Sequence, residues 1–193
     1  MIEFNQYKSN KEEFDKSNLH FYKADIVDIN GSTITHDFCD FIKIMICNKE
    51  TKKTIGSMTF LKLKTDNKDI IKQLLLNREI IKASPKQAND IINMMCEGDE
   101  NKDTISEKHK GSLITGNLFI KPLYRNRGIA KNVIEHLIDI LSGFSINTDK
   151  MLFVCNPIDT PSVVNEKIEK HISNLNKYNT KISNGVYYLR NKN

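Results

Sequence analysis

One segment limits the fold of this chain more than any other. An apolar run ending in Leu118-Phe119-Ile120 meets the turn residues Lys121-Pro122-Leu123-Tyr124, and Arg125-Asn126-Arg127-Gly128-Ile129-Ala130 then opens an amphipathic helix to about Leu141. Ile129, Val133, Ile134, Leu137, Ile140 and Leu141 recur at helical spacing and mark one buried face, with Gly143 as the expected C-cap. A short continuous apolar run, 151–155, follows, as in a strand buried on both faces. Strand, helix and strand at this spacing predict a right-handed parallel crossover. The turn itself suits a phosphate, because a helix start presents unpaired N–H groups and the positive end of the helix dipole. Gly128 lets a ligand approach the backbone without a Cβ in the way, and Ala130 keeps the next position small. The glycine spacing matches neither a P-loop nor the dinucleotide fingerprint.

The remaining segments predict an α+β chain. Residues 20–29, 38–48 and 54–64 read as strands, with Asn30-Gly31 a hairpin signal and a short strand expected over 32–36. Residues 66–83 and 86–96 switch to helical periodicity, with Pro85 between them. The segment 97–111 is polar and reads as a mobile loop. Its Asp99, Asn101 and Asp103 imitate the start of a calcium loop, but Thr104 and Lys110 stand where that loop needs Gly and Glu. A strand over 112–120, a helix over 162–176, a turn at Asn184-Gly185 and a last strand over 186–190 complete the pattern. Residues 1–18 are polar, with a short helix expected over 11–16.

A chain of 193 residues predicts a single domain with a substantial core. The apolar fraction of 39% and charged fraction of 27% fit a globular protein, no run reaches membrane-spanning length, and the start lacks a secretory pattern. Cys39, Cys47, Cys96 and Cys155 are scattered among apolar residues without a Cys-x-x-Cys pair, so reduced buried thiols, a cytoplasmic setting and no metal are expected. The net charge of +5 is spread along the chain, and a solvated lysine-rich surface accounts for it.

The stretch 120–130, Ile-Lys-Pro-Leu-Tyr-Arg-Asn-Arg-Gly-Ile-Ala, resembles the acetyl-CoA-binding motif of the GNAT N-acetyltransferase superfamily, Arg/Gln-x-x-Gly-x-Gly/Ala. Arg125, Gly128 and Ala130 occupy its three defined positions, and Pro122 and Tyr124 its usual flank. The resemblance implies a three-layer fold around a mixed, mostly antiparallel sheet, with pantetheine between two splayed parallel strands. Backbone groups of Leu118, Phe119 and Ile120 would pair with pantetheine amides. Residues 126–131, namely Asn126, Arg127, Gly128, Ile129, Ala130 and Lys131, would cradle the pyrophosphate, with Arg125 or Arg127 adding charge. Asn156 would contact CoA or the acceptor, although a turn residue before Pro157 is an equal reading. The family's two helices normally follow its first strand, whereas here they immediately precede the motif strand, so either the N-terminal strands are registered differently from this reading or 66–110 is an insertion, and in both cases these helices are expected to border the acceptor pocket.

The catalytic residues stay unassigned. The slots where the family often carries a carboxylate, three or four residues before Ile120, hold Asn117 and Gly116. The region where a tyrosine is frequent reads Val163-Val164-Asn165-Glu166-Lys167. His36 and His171 read as surface or packing residues and Cys155 as core. The expected activity is transfer of an acetyl group from acetyl-CoA to a primary amine of a small molecule or polypeptide. A non-catalytic acyl-CoA sensor, or an acetyltransferase for aminoacyl-tRNA, is the alternative. The acids Glu97, Asp99, Glu100 and Asp103 would suit a cationic amine and argue against nucleic acid as partner. No membrane partner is expected, and a homodimer is compatible with the sequence.

Overall fold

The computed structural model describes residues 9–16, 18–24, 36–77, 80–97, 103–154, 162–175 and 178–190. Its strands are β1 (Ser9–Lys16), β2 (Leu19–Ala24), β3 (Cys39–Asn48), β4 (Thr54–Leu63), β5 (Leu113–Ile120), β6 (Lys150–Val154), β7 (Tyr178–Ser183) and β8 (Val186–Arg190). Its helices are α1 (Lys68–Leu76), α2 (Pro85–Met95), α3 (Ile129–Glu135), α4 (Leu137–Gly143) and α5 (Ser162–Ser173). The strands form one eight-stranded sheet in the order β1-β2-β3-β4-β5-β6-β8-β7. Every pairing is antiparallel except β5 with β6. The protein is therefore α+β, with a mixed, mostly antiparallel sheet.

The pleat sorts side chains to two faces. Ile42, Ile44 and Ile46 of β3 join Met58, Phe60 and Ile120 beneath Val133, Ile134 and Leu137 of the motif helices and Ile172 of α5. Leu61, Leu63, Ile114 and Leu152 face the other way and pack under Ile71 and Leu75 of α1 and Ile91 and Met95 of α2. Burying both sheet faces removes a large apolar area from water, which is the main favourable term in folding. All of Met151, Leu152, Phe153 and Val154 are buried, as their continuous apolar run requires.

Local chemistry sets the helix ends. Asn67 caps α1 through Oδ1, which accepts from the Asp69 and Ile70 N–H groups. Ser84 and Gln87 form a reciprocal capping box on α2, with Pro85 in the first turn. Gln87 is itself buried, and its Nε2 donates to Asn184 O at 2.9 Å, tying α2 to the β7–β8 turn.

Several expectations change. The helix over 66–83 stops at Leu76, because the Asn77 carbonyl turns to accept from the Ile80, Ile81 and Lys82 N–H groups. The motif helix is interrupted at His136, whose ring Nδ1 and backbone N–H both lie within hydrogen-bond distance of Asn132 O. Residues 11–16 extend as part of β1 instead of forming a helix, since the free edge of β2 supplies a pairing partner that no local pattern announces. β7 was not anticipated, and α5 ends at Ser173. The Asn30-Gly31 turn, residues 25–35, Cys155 and Asn156 lie outside the described residues. Cys39, Cys47 and Cys96 are buried free thiols, and burial pushes Cys39 up to about 11. No helix among the described residues is long and apolar enough to cross a membrane.

Candidate functional site

The one parallel pairing is short. β5 and β6 are in register only at Leu113 with Met151 and Ile114 with Leu152. At the next residue, Thr115 Oγ1 accepts the Val154 N–H at 2.9 Å, a buried bond from side chain to backbone. It satisfies an amide that would otherwise be stranded where the strands part. Beyond it, β5 carries a bulge: Met58 stands opposite Leu118 and Phe60 opposite Thr115, so Gly116 and Asn117 share the single partner Thr59. Thr59 Oγ1 accepts the Asn117 N–H at 2.9 Å and donates to Asn117 O at 3.4 Å. A Cβ on Gly116 would lie 2.5 Å from Thr59 Oγ1 and 2.7 Å from Ile80 O, so no other residue fits this bulge.

Among the described residues, the edge of β5 toward β6 from Gly116 to Ile120 has no strand partner, while its opposite edge pairs with β4. The opening holds a narrow cavity of about 30 Å³, lined chiefly by Met58, Phe60, Leu118, Val133, Leu137 and Phe153, with Thr59, Thr115 and Asn117 as polar members. None of its lining residues is ionisable. The connection between α1 and α2 reaches this region through the Ile80 carbonyl. The 103–110 stretch instead lies where β5 begins: Ile105 N–H donates to Asp66 O and the Leu63 N–H to Ser112 O. Of the acids expected to receive an amine, Glu97 pairs with Lys108 at 2.9 Å and Asp103 with Lys68 at 3.5 Å. Asp99 and Glu100 lie outside the described residues.

The loop at the open end is built from its own backbone. Lys121 N–H donates to Ile55 O at 2.8 Å, and Pro122–Tyr124 forms a 3-10 turn closed by Tyr124 N–H to Lys121 O. Arg125 Nε donates to Ile120 O at 2.9 Å, and its guanidinium lies 5.9 Å from the Phe119 ring centre. Arg127 is exposed and stacks 5.7 Å from the Tyr124 ring centre. Asn126 and Gly128 both take positive φ, 61° and 74°. Gly128 is the N-cap of α3 and offers no side-chain cap. A Cβ there would meet nothing within 4 Å, so the space in front of this backbone is open. Among the described residues no backbone carbonyl accepts from the N–H groups of residues 126–131.

The sequence-derived candidates therefore divide. Leu118 and Ile120 pack toward the core beneath α3 and α4, Phe119 projects to the other face, and Arg125 is committed first to holding its own loop. Asn126, Arg127, Gly128, Ala130 and Lys131 are exposed together at the open end, and Ile129 packs inward. Lys131 Nζ approaches Glu135 at 3.9 Å. His171 Nδ1 lies 3.0 Å from Glu135 Oε1 on the helical face, and half-buried His36 meets the Phe41 ring edge-on at 5.1 Å, so neither lines the cavity. Thr59 and Thr115 were missed. The only signal was a polar-Gly-polar interruption, Thr115-Gly116-Asn117, inside an apolar strand, which is how a bulge reads in sequence.

No protein-family model matches the chain, and neither a curated protein nor a solved structure is significantly similar to it.

Proposed function

We propose that the chain is an acetyl-CoA-dependent N-acyltransferase of the GNAT type, acting on a primary amine. The observation that carries this reading is the parting of β5 from β6 after two paired positions, with an arginine- and glycine-bearing loop at the open end. The unpaired edge of β5 over residues 116–120 offers backbone groups to the amides of an extended ligand arm, as in strand addition. The open backbone at Gly128 and the unpartnered N–H groups of residues 126–131 suit a pyrophosphate, with Arg127 adding charge. The donor supplies the acetyl group as an activated thioester. The residues present fit such a donor.

Among the described residues no carboxylate lines the cleft, so the acceptor's proton leaves by another route. A free primary amine has a pKa of about 10.4, so the attacking fraction grows with pH unless water held by backbone groups relays the proton. A backbone N–H of β5 other than that of Asn117, which Thr59 Oγ1 accepts, is the candidate for stabilising the oxyanion. The same lack of ionisable lining favours a second reading, a domain that binds acyl-CoA without turnover.

Two measurements separate the readings. Calorimetry with CoA and acetyl-CoA should give saturable binding, and binding should raise Tm by mass action. Thiol release from acetyl-CoA, with polyamines, aminoglycosides, peptides and charged tRNA as acceptors, should then detect turnover. Binding without release under every acceptor leaves the sensor, and no binding at millimolar ligand removes both.

A further inference from the structure

The sequence shows no cluster of cations, but the fold makes one. The β3–β4 turn brings Lys52 and Lys53 to the end of the sheet where β5 terminates, because Lys121 N–H donates to Ile55 O and Gly56 stands opposite Ile120. Lys121 directly follows Ile120 at the end of β5, so it lies at the same end of the sheet as the turn that carries Lys52 and Lys53. The turn is fixed rather than loose. Asn48 Oδ1 accepts from the Glu50 and Thr51 N–H groups and from the Thr51 hydroxyl, and Lys52, at φ 56°, donates its N–H to Asn48 O.

Several cations elsewhere have acid partners. Lys64 pairs with Asp40, Lys86 with Asp90, Lys108 with Glu97, Lys110 with Asp66 and Lys181 with Glu169. Among the described residues, Lys52, Lys53, Lys121 and Arg127 have no carboxylate within ion-pair distance, and Glu50 is the acid of that turn. At the same end of the sheet Phe119 is 47% exposed, with small Ser57 as its cross-strand neighbour. Leu123, in the turn that follows β5, is 81% exposed.

We propose that this end of the sheet is a docking surface for single-stranded nucleic acid, with a base stacked on Phe119 and the phosphate backbone running along Lys52, Lys53 and Lys121. An exposed ring among unpaired cations on a rigid sheet is what a sequence-tolerant single-strand binder requires: aromatic stacking for the bases and positive charge for the chain. A purely acidic protein partner would satisfy the lysines without using the exposed part of a ring whose centre lies 5.9 Å from the Arg125 guanidinium. Lys52 and Lys53 lie on the β3–β4 turn, outside the loop assigned to the donor, whereas Lys121 opens that loop.

The test is fluorescence anisotropy with a labelled mixed-sequence RNA of about twelve nucleotides, a DNA of the same sequence, an abasic strand of the same length, and heparin. Three phosphate contacts give a slope of log K against log salt of about −2 for a single strand, so affinity should fall roughly 20-fold between about 50 and 200 mM salt. Phe119→Ala should weaken RNA binding at least about fivefold, while Phe119→Tyr, which keeps a stacking ring, restores it. Lys52→Ser and Lys53→Ser together should flatten the salt slope and leave CoA binding intact. Lost RNA binding with retained CoA binding in that variant separates this surface from the acyl-donor reading. DNA bound as tightly as RNA supports the proposal and shows that the 2′-hydroxyl is not read. Equal affinity for the abasic strand or heparin overturns it, as does RNA that fails to bind at low salt.

Discussion

Thr115 is the residue on which the parting of the two parallel strands turns, and replacing it with valine tests that directly. Valine keeps the shape and removes the hydroxyl that accepts the Val154 N–H at 2.9 Å. The site is 5% exposed, so the amide has no ready access to water. Leaving one buried donor unpaired costs about 1–3 kcal/mol. With a urea m-value of about 2 kcal/mol per molar, a central cost of about 2 kcal/mol shifts the midpoint down by about 1 M at unchanged slope. Thr115→Ser is the control: it keeps the hydroxyl and deletes one buried methyl, worth about 1 kcal/mol. Urea unfolding followed by circular dichroism should rank wild type above serine and serine above valine. Valine equal to wild type, or more stable than serine, would refute the argument, because it would mean that the Val154 amide is satisfied without Thr115.

Other positions give independent tests. Gly56→Ala would place a Cβ 2.1 Å from Phe119 O, so β4 and β5 must move apart, with a loss of about 3 kcal/mol or more; an unchanged melting temperature would contradict the packing. Gly128→Val should lower CoA affinity tenfold or more, about 1.4 kcal/mol, whereas Gly128→Asn, which tolerates the left-handed backbone, should separate strain from blockage; full affinity in a folded valine variant would place the ligand elsewhere. His109 is buried with both ring nitrogens unpartnered against Tyr188 at 5.2 Å, and desolvation, helped by Lys108 and Lys150 and opposed by Glu97, takes it from 6.5 to about 4. Because the folded state resists protonation, its stability is full above about pH 6.5 and falls as pH drops toward about 4, by a total on the order of 3 kcal/mol. His109→Leu should flatten that decline in Tm, and an unaltered acid profile would count against the site. Glu166 is exposed on α5, and Glu166→Gln should leave turnover rising with pH as the acceptor amine deprotonates; abolished turnover with CoA binding intact would identify it as the base.

What the sequence alone determined was local. The strands around the β3–β4 turn, the capped start of α2, the apolar run of β6 and the strand-turn-helix passage through Gly128 could all be read from periodicity, caps and turn residues, because each depends on neighbours a few positions away. The same reading could not find β1, whose polar residues extend because β2 offers an edge, nor stop α1 at Leu76, where the Asn77 carbonyl takes over three later amides. It gave the glycine of the candidate site but not its threonines. Thr59 and Thr115 are ordinary strand residues until the bulge at Gly116-Asn117 and the departure of β6 leave the Asn117 and Val154 amides needing acceptors. Tertiary structure also decided where the charge lies. Lys121 is far along the chain from Lys52 and Lys53 and reaches the same end of the sheet, because antiparallel pairing brings the start of β4 beside the end of β5. Hydrogen-bond demand and charge density are properties of neighbourhoods, and sheet pairing creates neighbourhoods from residues that sequence keeps apart.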